Sequence, residues 1–516
     1  MTIASRFRAG AYDIDLVSIN FHGARVRVSL VDLESNDGPY CLVFSSRERK
    51  QALLVDRDME SFVSFHDFGF SGFHPEEVHV SLVRLDPNDV IFAERCVLRC
   101  LPHVAFYRDA SPDHHLGFFF RLYRPDLVSY GDADATYPDR GVFLLSADVD
   151  QSLLPNQVRQ LPASALSKLS AGDALLLIDQ SHEGNPFDGA FAKLLHQTLS
   201  DLSIRADQIF FVNHTHKYSE KYTEWADQLG LIDRINIFYA NWYADGYFRT
   251  QSEFFASHGG IDQYVEDQRY RAFSDTIRPR RYLSLNYTAR PHRVLLMLEF
   301  MQRGMLDAGY VSFGGTRNSD QYKQNFYDMN GEGFIHHVGR QELLQLLPAL
   351  DEMGAWTLDQ SFRSGVEGEA IRMSATSPDE YFHDSYFSIV SESEFSSSDF
   401  MRVTEKAFKP LMRLHPSLFV GNYNTLGLLE DMGYKRFPKF FDNAYDGVED
   451  ARERHHLIIK ELDRLNALSD QEIAENYRAS WPALEHNLYT GHAYMEHGIK
   501  DRSSVILNAM LERLRR

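Results

Sequence analysis

The sequence predicts an α/β protein with two Rossmann-like halves that face a cleft, an extra β-rich N-terminal domain and a helical C-terminal segment. At 516 residues the chain exceeds the roughly 250–300 residues at which a single hydrophobic core stops growing. Residues 174–178 form a continuous apolar run, which is typical of a strand buried on both faces. Such runs alternate with polar loops and amphipathic segments, and this order indicates parallel βαβ units.

Four regions follow one another along the chain. Residues 1–135 contain short alternating runs separated by turn-forming residues, which predicts a β-rich accessory domain. Residues 136–277 repeat the order strand, polar loop and helix, and residues 278–450 repeat it again after a basic linker. Residues 451–516 carry amphipathic spacing, which predicts helices.

The charge and cysteine content restrict the partners and the location. The chain has 53 Lys and Arg against 73 Asp and Glu, a formal charge of −20, so we expect no nucleic-acid partner. Three cysteines cannot close a disulfide framework, and no signal-peptide pattern or membrane-spanning run is evident, which favours the cytoplasm. The basic last helix leaves peripheral contact with the inner membrane face open.

The most informative segment is 387–421. A strand-like apolar run leads to a polar loop with Glu392, and a helix is predicted to begin at Thr404, Glu405 and Lys406. A helix N-terminus beside a lysine attracts phosphate, because unpaired N–H groups, the helix dipole and the ammonium all favour an anion. A neighbouring glutamate can accept two hydrogen bonds from a ribose diol, so the pattern suits a nucleoside diphosphate. A capped helix with exposed charges would give the same pattern.

A second segment, 284–298, ends a strand at Asn286 and opens a helix with Arg290 and Arg293. Forked guanidinium donors at this point suit a diphosphate leaving group, whose negative charge grows as its bond breaks. Farther along, a strand is followed by a turn at Gly314, where a glycine lets the backbone approach a ligand closely. A solvated first-turn arginine and a plain glycine turn are the alternatives.

Residues 403–406 read V-T-E-K, and with the F-x-I-x-x-E strand before them and P-x-x-x-V-G after them they resemble the donor-site motif of the α1,3-fucosyltransferase family and its bacterial relatives. The resemblance covers about a third of the chain and implies a GT-B fold. It implies that Glu405 and Lys406 hold the ribose and diphosphate of a GDP-sugar. It also implies that Asn286 and Arg290 match an N-x-x-x-R stretch whose arginine contacts phosphate, and that no bound metal is needed.

The catalytic base is expected in the first of the two halves. An inverting transfer needs a carboxylate or histidine that takes the proton of the acceptor hydroxyl. Asp179, His182 and Glu183 directly follow a buried strand, and Glu183 is the first choice. His214 and His216 follow the next strand and are candidates for acceptor binding. As an H-x-H pair they could ligate zinc, but no third ligand is apparent, so we expect no metal.

Together these features predict an inverting glycosyltransferase that moves a sugar from a nucleotide-diphosphate donor, preferably a GDP-sugar, to a glycan or glycolipid in surface polysaccharide synthesis. Residues 136–277 would be the acceptor side and 278–450 the donor side. The nucleotide sugar is a substrate, so no cofactor is expected. One alternative is a non-catalytic nucleotide- or glycan-binding protein with this fold. The other is a hydrolase that uses a metal or the carboxylates Asp179 and Glu183.

Overall fold

The structure is a computed structural model. From residue 141 onward it describes the chain to 515 except for 147–150, 183, 275, 319–324, 359–378 and 396–399. Before residue 141 it describes 5–9, 12–20, 23–30, 40–46, 49–55, 59–64, 78–85, 88–96, 104–107, 115–124 and 127–131.

The N-terminal region forms two four-stranded antiparallel sheets, as the alternating patterns predict. The first sheet has the order β1-β2-β3-β6, and the second has the order β5-β4-β7-β8. The strands are β1 Ser5–Ala9, β2 Tyr12–Asn20, β3 Gly23–Leu30, β4 Tyr40–Ser46, β5 Arg49–Val55, β6 Met59–Ser64, β7 Val78–Leu85 and β8 Asn88–Cys96.

A six-stranded parallel sheet with the order β10-β9-β11-β12-β13-β14 follows. Its strands are β9 Val104–Tyr107, β10 Val128–Gly131, β11 Gly141–Ser146, β12 Ala174–Gln180, β13 Ile209–Asn213 and β14 Asn236–Tyr239. Every residue of β12 and β13 is buried, because apolar side chains occupy both faces of these strands. β9 and β10, which precede the expected boundary at residue 135, pair within this sheet rather than with the N-terminal strands.

Helices cover both faces of the six-stranded sheet, and we call this sheet and its helices the first half. Its helices are α1 His115–Tyr123, α2 Leu154–Arg159, α3 Ala163–Ala171, α4 Gly189–Asp201 and α5 Tyr218–Gln228. Helices α2 to α5 share one apolar cluster with the sheet, while α1 packs in a second cluster with the opposite face. The α/β class is confirmed by this arrangement.

The second half is a four-stranded parallel sheet with the order β16-β15-β17-β18 and the helices around it. The strands are β15 Tyr282–Asn286, β16 Gly309–Phe313, β17 Phe387–Ser391 and β18 Ser417–Val420. The helices that follow β14 are α6 Trp242–Ser257, α7 Ile261–Ala272, α8 Pro291–Arg303, α9 Gly331–His337, α10 Leu347–Met353, α11 Asp379–His383, α12 Glu405–Leu411 and α13 Thr425–Asp431.

The C-terminal segment is helical, as predicted, with α14 Ala451–Ala467, α15 Asp470–Ala479, α16 Trp481–Ala493 and α17 Ile499–Arg515. Helices α6 and α7 precede the expected boundary at 277, yet their apolar side chains lie in the core of the second half. Helix α17 returns to the first half, where Ile506, Leu507 and Met510 pack against the sheet. Its apolar face is thus covered by protein. None of the described helices has the length and apolar character needed to cross a bilayer.

Candidate functional site

The predicted donor residues meet at the carboxyl edge of the second sheet. After β15 the chain passes to β16 on one side and later returns to β17 on the other, so the strand order reverses between β15 and β17. In open parallel sheets, ligands bind in the crevice at such a switch point. Asn286 ends β15, and Glu392 directly follows β17.

Arg293 is a buried cation in this crevice. Its side chain donates to the carbonyl oxygens of Thr288 at 3.3 Å and Glu392 at 3.1 Å, while its Nε has no hydrogen-bond partner. Among the described residues no carboxylate forms an ion pair with it. Burial, together with the neighbouring Arg290, lowers the pKa of Arg293 to about 10. Glu392, Glu394 and Glu405 act in the opposite direction on this pKa, from beyond ion-pair distance. A buried cation without a direct ion-pair partner favours an anionic ligand.

Glu394 bridges two arginines beside this position. Arg290 Nη1 lies 3.2 Å from Glu394 Oε1, and Arg402 donates from Nε to Oε2 at 3.0 Å and from Nη2 to Oε1. The side chains are only 11% exposed for Arg290 and 5% exposed for Arg402. Although burial acts to raise the pKa of Glu394, the two arginines hold it at about 2. The carboxylate thus sits where two guanidinium groups converge, and forked donors of this kind also suit a phosphate.

The V-T-E-K residues form one hydrogen-bonded group with Glu392. Glu392 accepts from the Oγ1 of Thr404 at 2.8 Å and from its backbone N–H at 3.2 Å. Lys406 Nζ lies 3.1 Å from Thr404 Oγ1 and 3.1 Å from Glu405 Oε1, and its side chain is 29% exposed. Burial raises the pKa of Glu392. Burial also acts to raise the pKa of Glu405, but the nearby Lys406 and Lys409 outweigh it, so the pKa of Glu405 is lowered.

Asn286 and Gly314 shape the floor of the crevice. Asn286 is buried and donates to Ser284 Oγ at 3.0 Å, while its Oδ1 has no hydrogen-bond partner. Gly314 lies so close to the loop after β15 that an added Cβ would stand 2.1 Å from the carbonyl oxygen of Tyr287. Glycine is required there by this backbone approach, whatever else binds nearby.

The first half contacts the segment that precedes the motif. His214 Nε2 and Asn241 Nδ2 both donate to the carbonyl oxygen of Val403, at 3.2 and 2.7 Å. Burial and the nearby Arg402 lower the pKa of His214 to about 3, so its imidazole is neutral. The backbone N–H of His216 donates to the carbonyl of Met401 at 2.9 Å. The imidazole of His214 is therefore bonded to the second half, whereas the His216 side chain is half-buried and packs against the ring of Tyr239.

Of the three candidates for the catalytic base, the structure describes Asp179 and His182. Asp179 is buried, and its two carboxylate oxygens accept from the backbone N–H groups of Leu116 and Ser181, each at 2.9 Å. This carboxylate therefore holds the start of α1. His182 lies in a cluster of aromatic rings, and Glu183 lies outside the described residues.

Two side chains next to the crevice, those of Arg402 and His292, were not among the sequence-predicted donor ligands. Arg402 donates to the carbonyl oxygen of Gly184 in the first half at 3.3 Å as well as to Glu394. His292 donates from Nε2 to the carbonyl oxygen of Glu392 at 2.9 Å, and burial lowers its pKa to about 3. Both lie next to residues that the motifs singled out. Their position in the chain was therefore the one signal that could have pointed to them.

The chain matches no known protein-family model, and no curated protein shows a significant sequence match to it. Within the described ranges, no group of three His, Cys, Asp or Glu side chains is arranged to hold a metal ion. The charges of the crevice side chains therefore indicate which kind of ligand it suits. The cations Arg290, Arg293, Arg402 and Lys406 outnumber the carboxylates Glu392, Glu394 and Glu405, in a chain whose net charge is −20. This local excess of positive charge is suited to an anion.

Proposed function

We propose that the chain is an inverting glycosyltransferase of GT-B type that uses a nucleotide-diphosphate sugar, preferably a GDP-sugar, and acts on a glycan or glycolipid in surface polysaccharide synthesis. The observation that carries the proposal is the buried Arg293, which lies without a carboxylate partner among the described residues at the switch point of the second sheet. Arg290 and Lys406 lie around the same crevice, so a diphosphate would find several cationic donors there.

The proposed reaction is a single displacement at the anomeric carbon. The acceptor hydroxyl oxygen forms the new bond, the bond to the diphosphate breaks with its electron pair, and a carboxylate takes the hydroxyl proton. Arg290, Arg293 and Lys406 would stabilise the charge that grows on the diphosphate, and Glu405 would bind the ribose diol. Glu183 is the preferred base, because both oxygens of Asp179 already accept backbone hydrogen bonds.

The contacts between the halves support a reaction centre between them. Val403 accepts hydrogen bonds from His214, which follows β13, and from Asn241, which follows β14. Met401 accepts one from the backbone of His216. Because Val403 is the first residue of the V-T-E-K motif, a donor bound at the motif would have its sugar close to the carboxyl edge of the six-stranded sheet. The proposed GT-B enzyme requires its reaction centre in such a place between two sheets.

A thermal-shift screen tests the proposal. The protein would be heated with GDP, UDP, CDP, dTDP and CMP, and the screen repeated on Lys406→Ala. A ligand that binds only the folded state raises the midpoint by mass action. We expect one nucleoside diphosphate to stabilise the wild type by several degrees and to lose most of this effect in the variant.

A matched control is Lys435→Ala, which removes a lysine elsewhere in the second half and should leave the nucleotide effect intact. If no nucleotide stabilises the protein but zinc does, the glycosyltransferase proposal fails and the hydrolase alternative gains support. If a nucleotide binds without any turnover of its sugar derivatives, the non-catalytic binding protein is favoured instead.

A further inference from the structure

Three aromatic rings cluster at the carboxyl edge of the six-stranded sheet. His182 follows β12, and Trp242 and Tyr243 open helix α6. The ring centroids of His182 and Tyr243 are 4.5 Å apart, those of His182 and Trp242 are 5.1 Å apart, and those of Trp242 and Tyr243 are 5.4 Å apart. All three side chains are half-buried, so each ring is held by its neighbours and still presents part of its surface.

The cluster is fixed beside the donor motif by backbone contacts. The N–H of Trp242 donates to the carbonyl oxygen of Ser181 at 3.1 Å, which joins the start of α6 to the loop after β12. Asn241 precedes the two rings and donates to Val403, the first residue of the V-T-E-K motif. Shortly after His182 in the chain, the carbonyl oxygen of Gly184 accepts from Arg402. Chain neighbours of His182 and of Trp242 therefore both contact the segment that carries the motif.

We propose that His182, Trp242 and Tyr243 form the subsite for the acceptor sugar, an inference that rests on the proposed function. In an inverting displacement the nucleophile attacks the anomeric carbon from the side opposite the leaving group. In the proposed reaction the diphosphate lies at the second sheet, so the acceptor hydroxyl would approach from the carboxyl edge of the six-stranded sheet, where the cluster lies. Half-buried aromatic faces suit the C–H face of a pyranose, and a histidine N–H can hydrogen-bond a sugar hydroxyl.

The sequence indicated two other residues, His214 and His216, for this role. His214 is fully buried and donates to a backbone carbonyl, and the His216 backbone is tied to Met401. Trp242 packs partly against the core of the second half, which restricts its rotamers. A rigid aromatic surface binds a sugar with little loss of side-chain entropy.

Saturation-transfer NMR with simple methyl glycosides tests the subsite. The probes are the methyl glycosides of glucose, galactose, mannose and N-acetylglucosamine, each added to the protein together with the nucleoside diphosphate that stabilises it best. We expect at least one glycoside to receive saturation, most strongly at its ring C–H protons. In Tyr243→Ala its binding should be about five-fold weaker, because one stacking surface is lost.

The control is Tyr270→Ala, which removes a tyrosine that is 83% exposed on α7 and away from the cluster. This variant should bind the glycoside as the wild type does. Tyr243→Ala must keep the nucleotide-induced thermal shift, which shows that it is folded. Equal glycoside binding by Tyr243→Ala and wild type, or no glycoside binding by nucleotide-bound wild type, overturns the subsite. Absence of any nucleotide effect on the wild type instead overturns the proposed function.

Discussion

Glu394 lies between Arg290 and Arg402, and its replacement by glutamine is the most informative perturbation of the crevice. A diphosphate that binds both arginines has to compete with this carboxylate. Glu394→Gln keeps the size of the side chain and removes its charge. We therefore expect the variant to be less stable than the wild type and to bind a nucleoside diphosphate more tightly.

The expected loss of stability follows from the charges of Arg290 and Arg402, which the substitution leaves without their carboxylate partner. The pKa of Glu394 lies at about 2 instead of its ordinary 4.5, so its ionised form stabilises the fold by about 3 kcal/mol at neutral pH. Because the folded-state pKa is the lower one, this contribution is complete above about pH 4.5 and is lost as the pH falls towards 2. Breaking a buried ion pair by removing one partner costs about the same, about 3–5 kcal/mol. A bound anion would recover part of this free energy by pairing with the two arginines. We therefore expect Glu394→Gln to bind GDP about ten-fold more tightly than the wild type does.

Urea denaturation measures the loss of stability, and isothermal titration calorimetry with GDP measures the gain in affinity. Glu430→Gln is the matched control, because Glu430 pairs with Arg436 at 2.8 Å on the surface of the same half. It should change neither quantity much, since exposed ion pairs contribute little. Weaker GDP binding by Glu394→Gln would refute the reasoning. It would mean that the carboxylate positions the arginines rather than competing for them.

Three further changes test the fold around the site. Gly314→Ala should lower the melting temperature through a loss of about 1–3 kcal/mol, because its Cβ would meet the Tyr287 carbonyl at 2.1 Å; calorimetry showing an unchanged midpoint would mean that the loop can shift. Burial acts to raise the pKa of Glu299, but His455 and Arg340 hold this pKa at about 2. Glu299→Gln should therefore lower the free energy of unfolding, measured in urea, by about 3 kcal/mol. It should also make stability fall less steeply between about pH 4.5 and 2. Asn241→Ala removes a 2.7 Å hydrogen bond to Val403 and should cost about 1–2 kcal/mol in the same assay; no loss would show that the contact is dispensable.

The sequence predicted the two parallel sheets because their central strands are continuous apolar runs between polar loops. It did not reveal that β9 and β10 belong to the first of these sheets, since they are strands of four residues whose local pattern does not show their pairing partners. Within the predicted helical segment 451–516, α15 and α16 meet at Ser480, with Pro482 in the first turn of α16. The spacing of apolar residues predicts that helices form but does not predict where one helix ends and the next begins.

For the candidate site, spacing was enough to place Asn286, Arg290, Arg293 and Lys406 at one sheet edge, because parallel strands end together there. It could not reveal the ion pairs. The contact from Arg402 to Gly184 joins residues 218 positions apart, and such a contact is set by how the halves pack. The same packing buries His214, which local sequence presents only as a polar residue in a loop.

The most direct test of the proposed function is the release of nucleoside diphosphate from nucleotide sugars. Purified wild type and Arg293→Met would be incubated with GDP-fucose, GDP-mannose, UDP-glucose and dTDP-rhamnose, and the free diphosphate followed over time. The proposal predicts release from one of these donors by the wild type and a loss of at least about a hundred-fold in the variant, since Arg293 stabilises the departing charge. Equal release by both proteins, or no release together with no nucleotide-induced stabilisation, would contradict it.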